Sequence, residues 1–150
     1  MKEPFRKSFI VRWTDMDFNN HMRNTAYLDL AVEVRMMLFN ERGLSMRELE
    51  RMRIGPVVMR DEVEYFRELR LLETVNVTLS LAGLSSDASR MRLRNEFFRE
   101  DERLVARITS TGGWLDLNAR MLIRPPEKVV LLLRGLARAE DYQELPSSVS

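Results

Sequence analysis

Residues 5 to 13, FRKSFIVRW, put Phe5, Phe9, Val11 and Trp13 on one side at a period of two, with Lys7 breaking the pattern near the start. That alternation predicts a half-buried strand. The period then changes. Tyr27, Ala31, Val34 and Leu38 follow the i, i+4, i+7, i+11 series of one helical face, widened by Leu30 and Met37. Residues 25 to 42 therefore read as a helix of about five turns. Asn24 or Thr25 can cap its start, and Gly43 stands where helices commonly stop.

Residues 44 to 53 read as a short helix or turn before Gly55-Pro56 imposes an extended path, and the period of two then returns. Val63 and Tyr65, then Val75, Val77, Leu79 and Leu81, then Met91, Leu93 and Phe97, then Leu104, Ala106 and Ile108 predict four further strands. Their connections, RELRLLE, GLSSDAS and REDER, are short enough for hairpins, so the strands are mainly antiparallel. The last is expected to pass Gly112-Gly113 in a bulge or kink. Pro125-Pro126 precedes EKVVLLLRGLAR, a short apolar helix, and ELPSSVS reads as a frayed tail. One long, mostly apolar helix with one antiparallel sheet is an α+β layout, and its economical solution is a sheet curled around the helix. A single domain is expected over residues 1–144, with a frayed tail at 145–150. Exposed sheet edges invite pairing with a second copy, so a homodimer is expected.

Composition narrows the class. With 45% hydrophobic and 31% charged residues and a formal net charge of +1, the chain is a globular protein without a nucleic-acid signature. The absence of cysteine excludes disulfides, thiolate metal sites and cysteine nucleophiles, and agrees with a reducing compartment. No stretch of about 18 apolar residues and no signal-like start is present, so a cytoplasmic protein with no membrane partner is expected. Apart from Lys2, Lys7 and Lys128 the basic residues are all arginine, a bias that codon usage explains before function does.

The joint between the first strand and the long helix, TDMDFNNHMRN, crowds Asp15, Asp17, Asn19, Asn20, the sole histidine His21, and Asn24 together. Three readings compete. A metal site would draw on Asp15, Asp17 and His21, but the chain has no other His and no Cys to complete it. A phosphatase of the haloacid-dehalogenase type could use the paired acids. It would carry threonine where Asn19 stands, and a parallel sheet that the hairpins deny. The third reading is a turn at Asn19-Asn20, a cap at Asn24 and a histidine bonded to an aspartate.

The stretch RWTDMDFNNHMRNTAYL also resembles the motif of the 4-hydroxybenzoyl-CoA thioesterase-like branch of hotdog-fold acyl-CoA thioesterases. The matching positions are Arg12, Trp13, Thr14, Asp15, Asp17, His21-Met22, Asn24 and Tyr27. Asn20 replaces the glycine of many relatives, and Asn tolerates the left-handed backbone better than most residues. The resemblance implies a hotdog fold, a five-stranded antiparallel sheet wrapped around one long central helix. It implies hydrolysis of an acyl-CoA thioester to free acid and coenzyme A, with no metal and no cofactor beyond the coenzyme A of the substrate.

The family's catalytic carboxylate maps onto Asp17, acting by direct attack to give a mixed anhydride or by activating water. Unsatisfied N–H groups at the helix start, at Asn24 and its neighbours, are the matching oxyanion site. His21 would orient Asp17 or the carbonyl, or act as base with Asp17 as partner. Asp15 would hold the loop, and Glu33 reads as an ordinary helix residue. Coenzyme A is expected in a cleft at the dimer interface, with Arg90 of the Arg90, Arg92 and Arg94 face meeting its phosphates. The alternative for that face is a solvated surface paired with Glu64 or Glu96. Two dimers could assemble as a tetramer. The alternatives for the whole protein are a non-catalytic acyl-CoA or acyl-carrier-binding dimer and an acyl-carrier-protein thioesterase.

Overall fold

A computed structural model describes residues 2–149 of the chain. Met1 of the expected domain and Ser150 of the expected tail lie outside the described residues. Strand β1 (Phe5–Ile10) leads through a single 3-10 turn at Trp13–Asp15 into helix α1 (Asn24–Glu41) and the short α2 (Met46–Met52). Strands β2 (Ile54–Tyr65), β3 (Thr74–Ser85), β4 (Arg90–Arg99) and β5 (Leu104–Asp116) follow, then β6 (Met121–Ile123), α3 (Glu127–Arg134) and β7 (Arg138–Leu145). The five long strands lie side by side in the order β1-β3-β4-β5-β2, all antiparallel.

Helix α1 packs its apolar face on that sheet, as the hydrophobic periodicity requires. Ala26, Tyr27, Ala31, Val34, Leu38 and Phe39 are buried there, against Val75, Val77, Leu79, Leu93, Phe97, Ile108 and Trp114 from the strands. The stripe widens on the side of Ala26, Arg35 and Phe39, whereas Leu30 and Met37 are only half-buried. Gly43, at φ +88°, ends the helix: its N–H and that of Leu44 return to the carbonyls of Asn40 and Phe39 at 3.4 and 2.7 Å.

Two features correct the sequence reading. The sheet carries two strands beyond the five: β6 pairs with Trp114–Asp116 of β5, and β7 pairs parallel with the end of β3. The last helix stops at Arg134, and residues 138 onward, part of which was read as its continuation, are strand. β7 hides its pattern because only Leu145 is buried and most of its side chains face water. Its backbone pairing, not its side chains, places it. Beyond it, Ser147 and Ser148 hydrogen-bond to the turn between β3 and β4, at Asp87 Oδ2 (2.6 Å) and Ser89 Oγ (2.9 Å).

The expected irregularity at Gly112-Gly113 exists, but the extra residue belongs to β2, between Val58 and Arg60, while β5 runs through unbroken. A Cβ on Gly112 would sit 2.1 Å from the Val57 carbonyl oxygen, so only glycine lets the two strands approach there. β2 forms the edge of the five-strand order, and Pro56, which has no N–H to give a ladder, lies in it. Val58, Met59, Tyr65 and Phe66 on and beside this edge are exposed.

Candidate active site

The loop between the 3-10 turn and α1 is closed by its own backbone. Met16 and Met22 form an antiparallel bridge, the Asp17 N–H donates to the His21 carbonyl at 3.1 Å, and Asn20 takes φ +61° at the tip. Asparagine bears that left-handed conformation at little cost, which is why it can stand in for glycine here. Met22 is fully buried and its N–H reaches the Leu69 carbonyl at 2.7 Å, so the loop is pinned to the segment that follows β2.

This closure brings Asp17 and His21 together. Asp17 Oδ2 lies 3.3 Å from His21 Nδ1, and Asp17 Oδ1 accepts the Asn19 N–H at 2.8 Å. His21 Nδ1 is also 3.2 Å from the Met22 carbonyl oxygen. Two acceptors face this nitrogen, so it carries the proton in the neutral ring and Nε2 keeps the free lone pair. Both side chains are about one third exposed or less, at 27% for Asp17 and 33% for His21, and so accessible to a substrate.

Asp15 has a different task. Its carboxylate accepts the Arg12 backbone N–H at 2.9 Å and two guanidinium bonds at 3.1 and 3.2 Å, and its carbonyl accepts the Arg23 N–H. Burial pushes the Asp15 carboxyl up, but the bonds from Arg12 outweigh it and hold the group below the usual carboxylate range. Among the described residues no three His, Asp or Glu side chains gather as metal ligands.

Helix α1 begins at Asn24 with Arg23 as its N-cap residue, and no side chain caps it. The expected cap at Asn24 or Thr25 is thus not made: Asn24 is already the first helical residue and exposed, and the Thr25 hydroxyl accepts from Arg23 instead. The N–H groups of Asn24 and Thr25 have no partner among the described residues. They present two free donors at the positive end of an 18-residue helix.

A cleft of about 390 Å³ opens over this helix end, lined by His21, Met22, Asn24 and Tyr27 on one side and by Tyr65, Phe66, Arg67 and Glu68 on the other. Tyr65 was read only as a strand residue. Its hydroxyl donates to the Asn24 carbonyl at 3.1 Å, and its ring meets Tyr27 edge-on at 5.4 Å. Burial, followed by the neighbouring Tyr65, pushes the Tyr27 hydroxyl up to about 12, so it stays neutral. Nothing local in the sequence marks Tyr65, because its role arises from a contact 41 residues away.

Arg90 is not part of this group within one protomer. Along β5 the cleft end corresponds to Ala106, opposite Tyr65, and Arg90 pairs with Gly113, seven residues or roughly 23 Å further on. The arginine face is engaged locally: Arg90 Nε reaches Ser148 at 3.2 Å, Arg92 reaches Thr111 at 3.3 Å, and Arg94 pairs with Asp141 at 2.5 Å. Arg107 pairs with Glu96 at 2.9 Å and with Glu64 at 3.7 Å. Glu33 borders a separate hollow with Arg12 and Asp15. Among the described residues no helix is long and apolar enough to cross a membrane.

Comparison with known proteins bears on this geometry. Among curated sequences none matches the chain. Solved structures do. A hypothetical protein of Staphylococcus aureus in complex with CoA superposes with a TM-score of 0.82 at 22% identity, covering 100% of this chain and 90% of that one. A 1,4-dihydroxy-2-naphthoyl-CoA thioesterase from Synechocystis gives 0.79 at 16% identity, covering 89% and 98%. A probable thioesterase from Escherichia coli gives 0.73 at 20%, covering 89% and 98%. At these identities the likeness establishes the fold, which is the hotdog. The model of the thioesterase-like superfamily matches residues 11–133, a span that begins just after β1 and holds the loop, the whole of α1 and the four strands β2 to β5. The chain therefore belongs to the thioesterase-like superfamily.

Proposed function

We propose that the protein is an acyl-CoA thioesterase that hydrolyses its substrate to a free acid and coenzyme A. One observation carries this reading: the Asp17 carboxylate lies 3.3 Å from His21, and His21 shares a cleft with Asn24 at a helix end whose first N–H groups have no partner among the described residues. A thioester carbonyl set over Asn24 would place its oxygen toward those donors, which stabilise the negative charge of the tetrahedral intermediate. Asp17 attacks the carbonyl carbon, the C–S bond breaks to release coenzyme A thiolate, and water hydrolyses the mixed anhydride, or Asp17 directs water at the carbon and the same thiolate leaves as the intermediate collapses to the acid; His21 fixes the carboxylate's orientation. A second assignment of the same reaction has a specific observation in its favour. With Nδ1–H held by Asp17 and the Met22 carbonyl, His21 Nε2 is a free base facing the cleft, and Asp17 would then orient the imidazole.

The same reading includes a homodimer formed along β2. That strand has 12 residues, pairs only through β5, and carries exposed Val58, Met59 and Tyr65. In a two-fold antiparallel pair its two ends exchange neighbours, so the cleft at Tyr65 of one copy lies near Val57 of the other. The acyl group then enters between two protomers, and Arg90, remote from the cleft of its own chain, is available to coenzyme A phosphates at a neighbour's. Release of free thiol from a panel of acyl-CoA thioesters tests the activity. Turnover of one or more supports it. Saturable binding without release identifies a non-catalytic acyl-CoA-binding dimer instead, and turnover confined to acyl-carrier-protein thioesters identifies the carrier-specific enzyme.

A further inference from the structure

A second cavity lies at the opposite end of α1. It holds about 120 Å³ and is walled by Val32, Met36 and Phe39 from the helix and by Val57, Met91 and Leu93 from the sheet. Its volume compares with the roughly 150 Å³ cavity known to admit a benzene ring, so it has room for one ring or a short chain. Arg35 also lines it, a guanidinium only 6% exposed. Arg35 Nε donates to Asn95 Oδ1 at 3.1 Å and Nη2 to Ser110 Oγ at 2.5 Å. Ser110 in turn donates to Asp61.

The remaining nitrogen, Nη1, has no hydrogen-bond partner among the described residues, and Arg35 makes no direct ion pair with any described carboxylate. Burying a cation without a paired anion is costly, and a purely apolar ligand would leave that cost in place. An oxygen at the far end of an acyl group would meet Nη1 in a charge-assisted hydrogen bond. We infer that Arg35 is a specificity-determining residue that selects acyl groups with an apolar body and an acceptor oxygen, hydroxyl or carboxylate, at the end remote from the thioester.

This inference rests on the thioesterase reading and its β2 dimer. Within one chain Arg35 is eleven residues from Asn24, about 16 Å along the helix, too far for a short acyl group. In the proposed two-fold pair the cavity, which Pro56, Val57 and Val58 of β2 help to line, would adjoin the cleft of the second copy. The partner's helix end would hold the thioester while this Arg35 holds the distal oxygen.

The test uses three thioesters of equal chain length, hexanoyl-CoA, 6-hydroxyhexanoyl-CoA and adipoyl-CoA, with wild type, Arg35→Met and Arg35→Lys. Wild type should favour at least one oxygenated substrate over hexanoyl-CoA by about tenfold or more in kcat/KM. The hydroxyl and carboxylate arms tell which oxygen is preferred. In Arg35→Met the preference should vanish through a higher KM for the oxygenated substrate, its kcat/KM falling about tenfold relative to that for hexanoyl-CoA. Arg35→Lys should restore part of it. Equal wild-type rates on all three thioesters overturn the inference, and so does a loss in Arg35→Met that is uniform across them, since that is the signature of a structural role. The same three thioesters are also titrated calorimetrically onto the wild-type dimer. If none is hydrolysed, the thioesterase reading fails while a tenfold preference in Kd still supports Arg35 as the selector, and equal or undetectable binding of all three removes it.

Discussion

The two ends of α1 are built to opposite standards. At the C-terminal end Gly43 and Leu44 return their N–H groups to the last turn, Leu38 and Phe39 are buried, and Phe39 packs against Trp114. At the N-terminal end no side chain caps the helix, two N–H groups have no partner among the described residues, Asn24 lines a cleft, and the His21 imidazole, held by the Asp17 carboxylate, lines the same cleft. A helix end left open forgoes about 1 kcal/mol of capping. The contrast teaches that stability and reactivity are segregated along one element: the closed end anchors the helix to the sheet, and the open end presents donors that would otherwise be consumed.

The largest effect should come from breaking the closed end. Leu38, fully buried, is far from the cleft, and Leu38→Ala should cost about 3 kcal/mol or more in denaturant unfolding. The helix start then loses its support, so activity falls with the folded fraction, not ahead of it.

The open end can be blocked without harming the helix. Asn24 is the first helical residue and Arg23 before it is extended, at φ −67° and ψ 149°, the conformation a following proline requires. Asn24→Pro deletes one oxyanion donor and should cut kcat roughly a hundredfold while the melting temperature holds or rises. A variant that keeps full activity would show that this N–H takes no part.

Two smaller changes sharpen the account of the closed end. Gly43→Ala meets no clash, its Cβ lying 3.5 Å from Lys128, so the cost is the left-handed backbone alone, about 1 kcal/mol with kcat unchanged. Near the same end, burial pushes the Asp87 carboxyl up, but hydrogen bonds from Ser147, Ser89 and Ser85 overcome it and hold the group far below the usual range. A depressed folded-state pKa contributes stability that is present above the ordinary carboxylate range and is lost as the pH falls toward the folded value. Ser147→Ala should therefore cost about 1 kcal/mol or less at neutral pH, and because Asp87 stays ionised in the folded protein well below the ordinary carboxylate range, that gap should persist in thermal melts as the solution is acidified from about pH 7 to about pH 4.

The parts legible in the sequence are those whose signal is local. The helix stripe from Tyr27 to Leu38, the alternation of the five long strands and the stop at Gly43 each lie within a few consecutive residues. The loop around Asp17 and His21 was visible for the same reason, since all its polar groups fall within one turn of chain. What escaped depends on distant partners. β7 is recognised only by its pairing with β3, and Tyr65 joins the cleft by folding back on Asn24. Arg35 had a faint signal, because it sits at four-residue spacing between Ala31 and Phe39 on the buried face. A charged side chain is not counted in a hydrophobic stripe, and the polar pair Asn95 and Ser110 on β4 and β5 explains why it can be buried.

The most direct measurement is kcat for thiol release by Asp17→Asn at saturating acyl-CoA, beside wild type and with thermal melts to confirm folding. Asparagine keeps the size of the side chain and can accept the Asn19 N–H, but it cannot supply a carboxylate. The expected result is a fall of about a thousandfold or more with the melting temperature within a few degrees. An Asp17→Asn protein that turns over at the wild-type rate would contradict the proposal that this carboxylate, beside the open end of α1, carries the reaction.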